Sequence, residues 1–286
     1  MRYASLLVYL DQTIYREGLV DVAMQLSSDF DAHLTALYAY IPSLYDYRFA
    51  GFETINGLER LLRKEEEQAQ ENSVTFREKF ESQAERFGSL KTGWCFLNGE
   101  RELAQVLALH ARYADVVIMG QHDPNNAPPV GGCDTPAQVA LMSGRPVLVV
   151  PHAGSFNVIG SHVVIAWNAT REAVRAVTAA LPLLIRAESV DIVVVGEGKR
   201  MTSSYGDGPG SDISLYLARH GVKSTVLRIS RGGLYVSEAL QSVMVDQGAD
   251  LLCMGAYGHS RLRELVLGGV THDIMRHMTL PTLIAC

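Results

Sequence analysis

The chain repeats itself at a fixed distance. Residues 114–120, ADVVIMG, recur as residues 249–255, ADLLCMG, and residues 145–148 have their counterpart at 280–283 with the same offset of 135. Solenoid repeats have periods of roughly 20 to 50 residues, so this period is that of a duplicated domain. We therefore predict one domain at residues 1–151, a linker at 152–160 and a second domain at 161–286.

Each half alternates short β-branched runs with helical patterns, which is typical of a parallel sheet built from βαβ units. The fold class that we predict is α/β, with two tandem open-sheet domains, each a five-stranded, mostly parallel sheet with helices on both faces. The predicted strands are 5–10, 33–40, 90–97, 115–120 and 146–150, then 162–167, 190–196, 223–229, 250–255 and 282–285. The predicted helices are 14–30, 56–87, 101–113 and 134–143, then 171–187, 211–220, 234–247 and 270–278.

Residues 58–87 account for most of the extra length of the first half. They are dense in Glu, Arg, Lys and Gln, and their apolar residues are sparse. This composition favours a partly solvated helix that decorates the domain, with an interaction surface as the alternative.

Composition limits the classes of partner. The net charge of −6 argues against nucleic-acid binding, which needs a concentrated basic surface. No apolar run approaches the roughly 20 residues that span a bilayer, and residues 1–10 do not resemble a secretion signal. The four cysteines occur singly, without the paired spacing of zinc or disulfide frameworks. We expect a cytoplasmic protein with reduced thiols and no membrane or nucleic-acid partner.

A glycine pattern follows the fourth predicted strand of the second half. Gly255, Gly258 and Gly268 form G-x2-G-x9-G, and Gly269 and Thr271 open the next helix. Glycines let backbone N–H groups approach a ligand, and a helix N-terminus attracts phosphate. The alternative is that these glycines bind no ligand and serve only to end a strand and begin a helix. Arg261 and Arg263 either supplement the phosphate electrostatics or solvate their loop.

A second loop favours a ligand site over a purely structural role for these glycines. Asn168, Ala169 and Thr170 follow the first strand of the same half, and Thr170 is a suitable helix cap. In open parallel sheets, ligands bind beyond the carboxyl ends of strands where the strand order switches. We expect the loops after the first and fourth strands to face each other there.

These two segments resemble a known family. Residues 254–261, MGAYGHSR, with residues 268–271, GGVT, resemble the ATP-binding signature of the universal stress protein family, and residues 163–173 resemble its first strand and loop. The resemblance implies an adenine nucleotide alpha hydrolase-like fold and, as ligand, ATP or another adenine nucleotide, with or without Mg²⁺. The nucleotide-binding residues that it implies are Asn168, Ala169, Thr170, Val195, Gly196, Met254, Gly255, Gly258, Gly268, Gly269, Val270 and Thr271.

Two residues depart from the family pattern. Asn168 replaces an Asp that meets the ribose, and Gly269 stands where ATP-binding members commonly have Ser. Each lost hydrogen bond costs about 1 kcal/mol, which weakens binding roughly tenfold without abolishing it.

The equivalent loop of the first half lacks the pattern. Asp123 stands where the second glycine would be, and prolines at 124, 128 and 129 remove N–H donors, although Asp11 keeps the acid after the first strand. We predict that this half has lost its ligand, with a different ligand as the alternative.

No motif of a known catalytic class is present in the sequence, and the five-residue spacing of His272 and His277 does not suit joint metal ligation. The leading hypothesis is a stress-linked regulatory module that binds a nucleotide. A slow ATPase using His259 or Asp273, and a ligand-free interaction scaffold, are the alternatives. The family dimerises through its last strand, which implies an internal pseudo-dimer in a tandem chain and leaves a further homodimer open.

Overall fold

The computed structural model describes residues 2–11, 15–42, 55–88, 90–99, 102–123, 125, 134–196, 208, 210–256 and 269–286. The elements of the first half are β1 (Ser5–Leu10), α1 (Glu17–Phe30), β2 (His33–Tyr40), α2 (Ile55–Arg86), β3 (Lys91–Asn98), α3 (Leu103–Ala111), β4 (Val116–Gly120), α4 (Thr135–Ser143) and β5 (Val147–Val150). Those of the second half are β6 (His162–Ala166), α5 (Arg171–Leu184), β7 (Ser189–Gly196), α6 (Ser211–Arg219), β8 (Thr225–Ser230), α7 (Val236–Asp246), β9 (Leu251–Gly255), α8 (Gly269–His277) and β10 (Thr282–Ala285).

The described strands form one continuous sheet in the order β3-β2-β1-β4-β5-β10-β9-β6-β7-β8. Pairing is parallel within each half. The halves meet where β5 pairs antiparallel with β10, with Leu148 opposite Leu283. The predicted five-stranded parallel sheet is thus present in each half. The pairing of the two last strands makes the two sheets one.

Two apolar cores cover the two faces of this sheet, and both cores cross from one half to the other. Helices α1, α2, α5 and α6 pack on one face, and α3, α4, α7 and α8 pack on the opposite face. Neighbouring residues of one strand enter opposite cores, as Leu6 and Leu7 of β1 do. Burial on both faces explains why the strands are nearly continuous apolar runs in the sequence.

The repeated Ala-Asp pair has a structural cause. The Asp115 carboxylate accepts hydrogen bonds from the amides of Ala4 (2.7 Å) and Ser5 (3.1 Å), which begin the first strand. In the second half, the Asp250 carboxylate accepts from the amides of residues 160, 161 and 162 at 2.7, 3.0 and 3.1 Å. Each acid fixes the start of a central strand against its neighbour.

The expectation for residues 58–87 was wrong for the inner side of α2. Phe76 and Phe80 are 8% and 1% exposed and pack beside Tyr38 and Trp94 of the sheet. Apolar residues spaced four apart form a narrow stripe, which composition alone underrates because the rest of the helix is charged and exposed. Gln83, 1% exposed, anchors this side by donating to the carbonyl of Glu17 at 3.0 Å.

Two of the described thiols, those of Cys253 and Cys286, are buried in the core, and Cys95 is partly buried. Cys253 is fully buried in β9, and burial raises its pKa to about 12. Burial also raises the pKa of Cys286 to about 12, whereas Cys133 lies outside the described residues. No helix in the described ranges is long and apolar enough to cross a lipid bilayer.

The shared cores predict that the two halves unfold together. Leu148→Ala, at a fully buried position on the seam, removes contacts from a core that both halves share, and we expect a loss of about 2–5 kcal/mol. The two tryptophans, Trp94 and Trp167, report on one half each. In the Trp94→Phe and Trp167→Phe backgrounds, fluorescence-monitored urea unfolding should show the same shifted midpoint.

Val158→Ala in the linker, where the side chain is 61% exposed, should leave both midpoints unchanged. Separate transitions for the two reporters would contradict a shared core.

Candidate functional site

The strand order reverses between β6 and β9. From β6 the chain proceeds outward to β7 and β8, then returns to the other side of β6 as β9 and continues to β10. Helix α5, which follows β6, lies on one face of the sheet, and α8, which follows β9, lies on the other. Open α/β sheets have a ligand-binding crevice at such a switch point, so the carboxyl edge between β6 and β9 is the candidate site.

The loop after β6 is held by its own side chains. The Asn168 side-chain oxygen accepts from the Thr170 amide at 3.2 Å and from the Thr170 hydroxyl at 2.8 Å. Thr170 caps α5 by accepting from the Ala173 amide at 3.3 Å, which confirms the predicted cap. Ala169 has a positive φ of 56°, so the turn is tight. The oxygen that we assigned to a ribose hydroxyl already takes two hydrogen bonds within this loop.

Sequence reasoning missed Glu172, which follows in the first turn of α5. Its side chain is only 7% exposed and lies 2.5 Å from the Arg171 Nε. Burial pushes the pKa of this carboxyl up, but hydrogen bonds from Arg171, Thr170 and its own amide bring the pKa below its ordinary value. The α5 N-terminus is therefore already matched by an ionised carboxylate. An acid just after a capping threonine was the signal available in the sequence.

Gly255 serves close packing. A methyl group on its Cα would lie 2.5 Å from the Ala173 amide nitrogen and 2.6 Å from the Glu172 carbonyl carbon. The start of α5 thus rests directly on the end of β9. We assigned Gly255 to a ligand, and the structure gives it this packing role, because only glycine admits a helix backbone at that distance.

Within the described part of the chain, the first turn of α8 is uncovered at Gly269. Gly269 is exposed, and a methyl group on it would meet no atom of the described residues within 4 Å. Thr271 is 5% exposed, and no hydrogen bond of its hydroxyl is found in the described part of the chain. Among the other predicted residues, Val195 and Gly196 are half-buried at the end of β7. Gly258 and Gly268 lie outside the described residues, as do His259, Arg261 and Arg263.

The corresponding edge of the first half is filled by a side chain that the sequence analysis did not single out. The Arg16 Nη1 donates to the Gln121 carbonyl at 2.6 Å and would lie 3.3 Å from a methyl group on Gly120. Asp123 accepts from the Asn125 amide at 2.9 Å, and this bond is the main cause of its lowered pKa. The predicted negative charge is present, and an arginine accompanies it.

Several polar side chains on and around α8 form hydrogen bonds or ion pairs with neighbouring groups. The His277 Nδ1 donates to the Asp273 carbonyl at 3.0 Å, and the Asp273 carboxylate accepts from the Ser237 hydroxyl at 3.2 Å. The His272 Nδ1 lies 3.7 Å from the Asp134 carboxylate. Over the described ranges, no three His, Cys, Asp or Glu side chains are grouped as metal ligands.

The strand order, with helices on both faces of the sheet, defines an α/β protein of the doubly wound class. Residues 210–285 match the sequence model of the universal stress protein family. A segment of 49 residues is 43% identical to a universal stress protein from Synechocystis sp., and this segment spans 17% of each chain. The second half of the chain is thus similar to universal stress proteins over residues 210–285, and the matched residues include α8 and the glycine pattern.

Solved structures show the same fold over both halves. A universal stress protein from Archaeoglobus fulgidus is similar with a TM-score of 0.73, at 14% identity, over 98% of this chain and 97% of that chain. A functionally unknown protein from Pseudomonas aeruginosa has a TM-score of 0.61, at 11% identity, over 99% of this chain and 92% of that chain. Both structures thus share the fold of this chain over nearly its whole length.

The contact at Gly255 predicts that a glycine-to-alanine substitution destabilises the protein more at this position than at the equivalent position of the first half. Gly255→Ala drives a methyl group into backbone atoms, and we expect a loss of about 3 kcal/mol in unfolding free energy. Gly120→Ala, its repeat counterpart, comes closest to the flexible end of Arg16 at 3.3 Å and is in ordinary contact with Leu19 at 3.6 Å, so it should cost about 1 kcal/mol or less. Urea unfolding of both variants measures the difference, and equal losses would contradict the packing role.

Proposed function

We propose that the second half of this protein binds an adenine nucleotide, ATP in the first place, and that the protein acts in the cytoplasm as a stress-linked regulatory module. The observation that carries the proposal is the first turn of α8 beside the switch point of the sheet. No described residue comes within 4 Å of a methyl group placed on Gly269, which fits a phosphate at this helix N-terminus. This turn also lies within the segment that matches the family.

Electrostatics favour α8 over α5 as the phosphate site. The first turn of α5 contains Glu172, whose carboxylate repels an anion, whereas the first turn of α8 contains no acid. The buried Thr271 hydroxyl adds a polar group in the same turn. In this proposal, the amides of Gly269, Val270 and Thr271 hold the phosphates, with Gly258 and Gly268 from the preceding loop.

The rest of the nucleotide would lie along the crevice. Asn168, Ala169 and Thr170 at the end of β6 are placed for the ribose. Val195 and Gly196 at the end of β7, with Met254 of β9, provide backbone and apolar surface for the base. Because the Asn168 oxygen already accepts two hydrogen bonds, the ribose contact is the weak part of the site.

A binding role fits these residues better than fast hydrolysis. Asp273, the described candidate for a catalytic base, is engaged by Ser237 between α7 and α8. Nucleotide binding would then act by favouring one conformation of the crevice loops. With β5 paired to β10, we further propose that the chain is an internal pseudo-dimer of its two halves.

Gly269→Ser tests the phosphate site by restoring the hydroxyl of the family pattern. Because the added side chain meets open space, we expect it to donate to a phosphate and to tighten ATP binding about five- to tenfold. Isothermal titration with ATP, ADP and AMP in the presence of Mg²⁺ measures the change. The matched control is Gly18→Ser, which also adds a hydroxyl to an open first turn of a helix, but in the first half.

Gly258→Asp gives the complementary test, because it imitates Asp123 of the first half. The added carboxylate should repel phosphate and abolish binding at one site per chain. Absence of any binding of ATP, ADP or AMP to the unaltered protein up to millimolar concentration would overturn the proposal and favour a scaffold.

A further inference from the structure

Gln121 joins the two halves at the end of α8. It follows β4 of the first half and is 4% exposed, which is rare for a glutamine. Its Nε2 donates to the carbonyls of Met275 and Arg276, both at 3.0 Å. These carbonyls belong to the last turn of α8, where a helix has no backbone donors of its own. A side chain of the first half thus caps a helix of the second half.

The other end of the same amide is fixed as well. The Gln121 Oε1 accepts from the His152 backbone amide at 3.1 Å and from the His152 Nδ1 at 3.0 Å. The Gln121 backbone amide donates to the Val150 carbonyl at 2.7 Å. Two donors and two acceptor positions are all that a glutamine side chain offers, so Gln121 is fully satisfied in this orientation. It cannot follow a displacement of α8 without losing hydrogen bonds in a buried place.

Helix α8 touches the first half near its other end too. His272, in the first turns of α8, lies 3.7 Å from Asp134, the residue that precedes α4. The helix whose N-terminus is the proposed phosphate site is therefore held against the first half near both ends.

The capping is not symmetrical. The repeat counterpart of Gln121 is Ala256, whose side chain has no polar atom. Helix α4, the counterpart of α8, ends on Gly144 in the left-handed conformation, and the Gly144 amide donates to the Ala140 carbonyl at 3.1 Å. Helix α8 has no glycine at its end and takes its cap from the opposite half. The first half, whose loop lacks the glycine pattern, thus stabilises a helix end of the second half, whose loop has the pattern.

We infer that Gln121 is a positioning residue for the phosphate-binding end of α8, so that the first half acts as the support of the second half's site. This inference rests on the proposed function. A short helix that is not held at its C-terminus moves at its N-terminus as well, and a nucleotide that must first order the helix binds more weakly. Because Gln121 holds α8 in place in the ligand-free protein, nucleotide binding does not have to supply the free energy of ordering the helix.

Two variants separate this role from general stability. Gln121→Ala deletes the cap, and Gln121→Glu keeps the shape but turns the donor into a carboxylate facing two carbonyls, so the second variant should have the larger effect. The matched control is Gln83→Ala, which removes an equally buried glutamine that also donates to a helix carbonyl, but within the first half.

Two measurements compare the unaltered protein with the two Gln121 variants and the Gln83→Ala control. Hydrogen exchange of the ligand-free protein should be faster in α8 for both Gln121 variants and unchanged there for Gln83→Ala, with α4 as internal reference. Isothermal titration of ATP should show affinity lowered about five- to tenfold in Gln121→Ala and more in Gln121→Glu, with Gln83→Ala at the wild-type value.

The outcomes distinguish this inference from the proposed function. If the unaltered protein binds ATP and the Gln121 variants bind it equally well, the positioning role is overturned while the proposed function stands. If the unaltered protein binds no nucleotide, the proposed function and the ligand role of Gln121 both fall. Unchanged exchange in α8 of the Gln121 variants would show that Gln121 does not hold the helix at all.

Discussion

The antiparallel pairing of β5 with β10 is the contact on which the rest of the structure depends. It turns two five-stranded parallel sheets into one sheet of ten strands. Both apolar cores then run across the seam, because the helices on each face have a continuous surface to cover. The same pairing brings the loop after β4 beside α8, where Gln121 reaches the helix end. Separate domains on a flexible linker would have neither the shared cores nor this cap.

Within this frame the two halves have diverged at equivalent edges of the sheet. The second half brings α5 onto Gly255 so closely that only glycine fits, and no other described residue covers Gly269 in the first turn of α8. The first half places Arg16 beside Gly120 and an ionised Asp123 in the loop that follows. The two equivalent edges are thus built from different contacts. Our proposals assign the ligand to the edge of the second half and a supporting role to the first half.

Much of the fold could be predicted from the sequence because its signals are local. Fully buried parallel strands are apolar runs, and β1, β2 and β10 have the predicted ends. The switch point followed from strand order, and the Thr170 cap from its place before a helix. The inner side of α2 was misjudged, since four-residue spacing of a few apolar residues is hidden by a charged composition. Arg16 and Gln121 were missed because their partners lie on other elements, whereas Glu172 had a local signal that was overlooked.

The sequence by itself determined the duplication, the βαβ order and the position of the glycine pattern, because each is recorded in the order of residues along one chain. Only the tertiary structure decided what those residues do. It showed that Gly255 is required by a helix backbone from another element, and that the Asn168 oxygen is engaged within its own loop. It also showed that a glutamine of one half caps a helix of the other. These contacts depend on distances between elements that lie far apart in the chain, and residue order does not specify such distances.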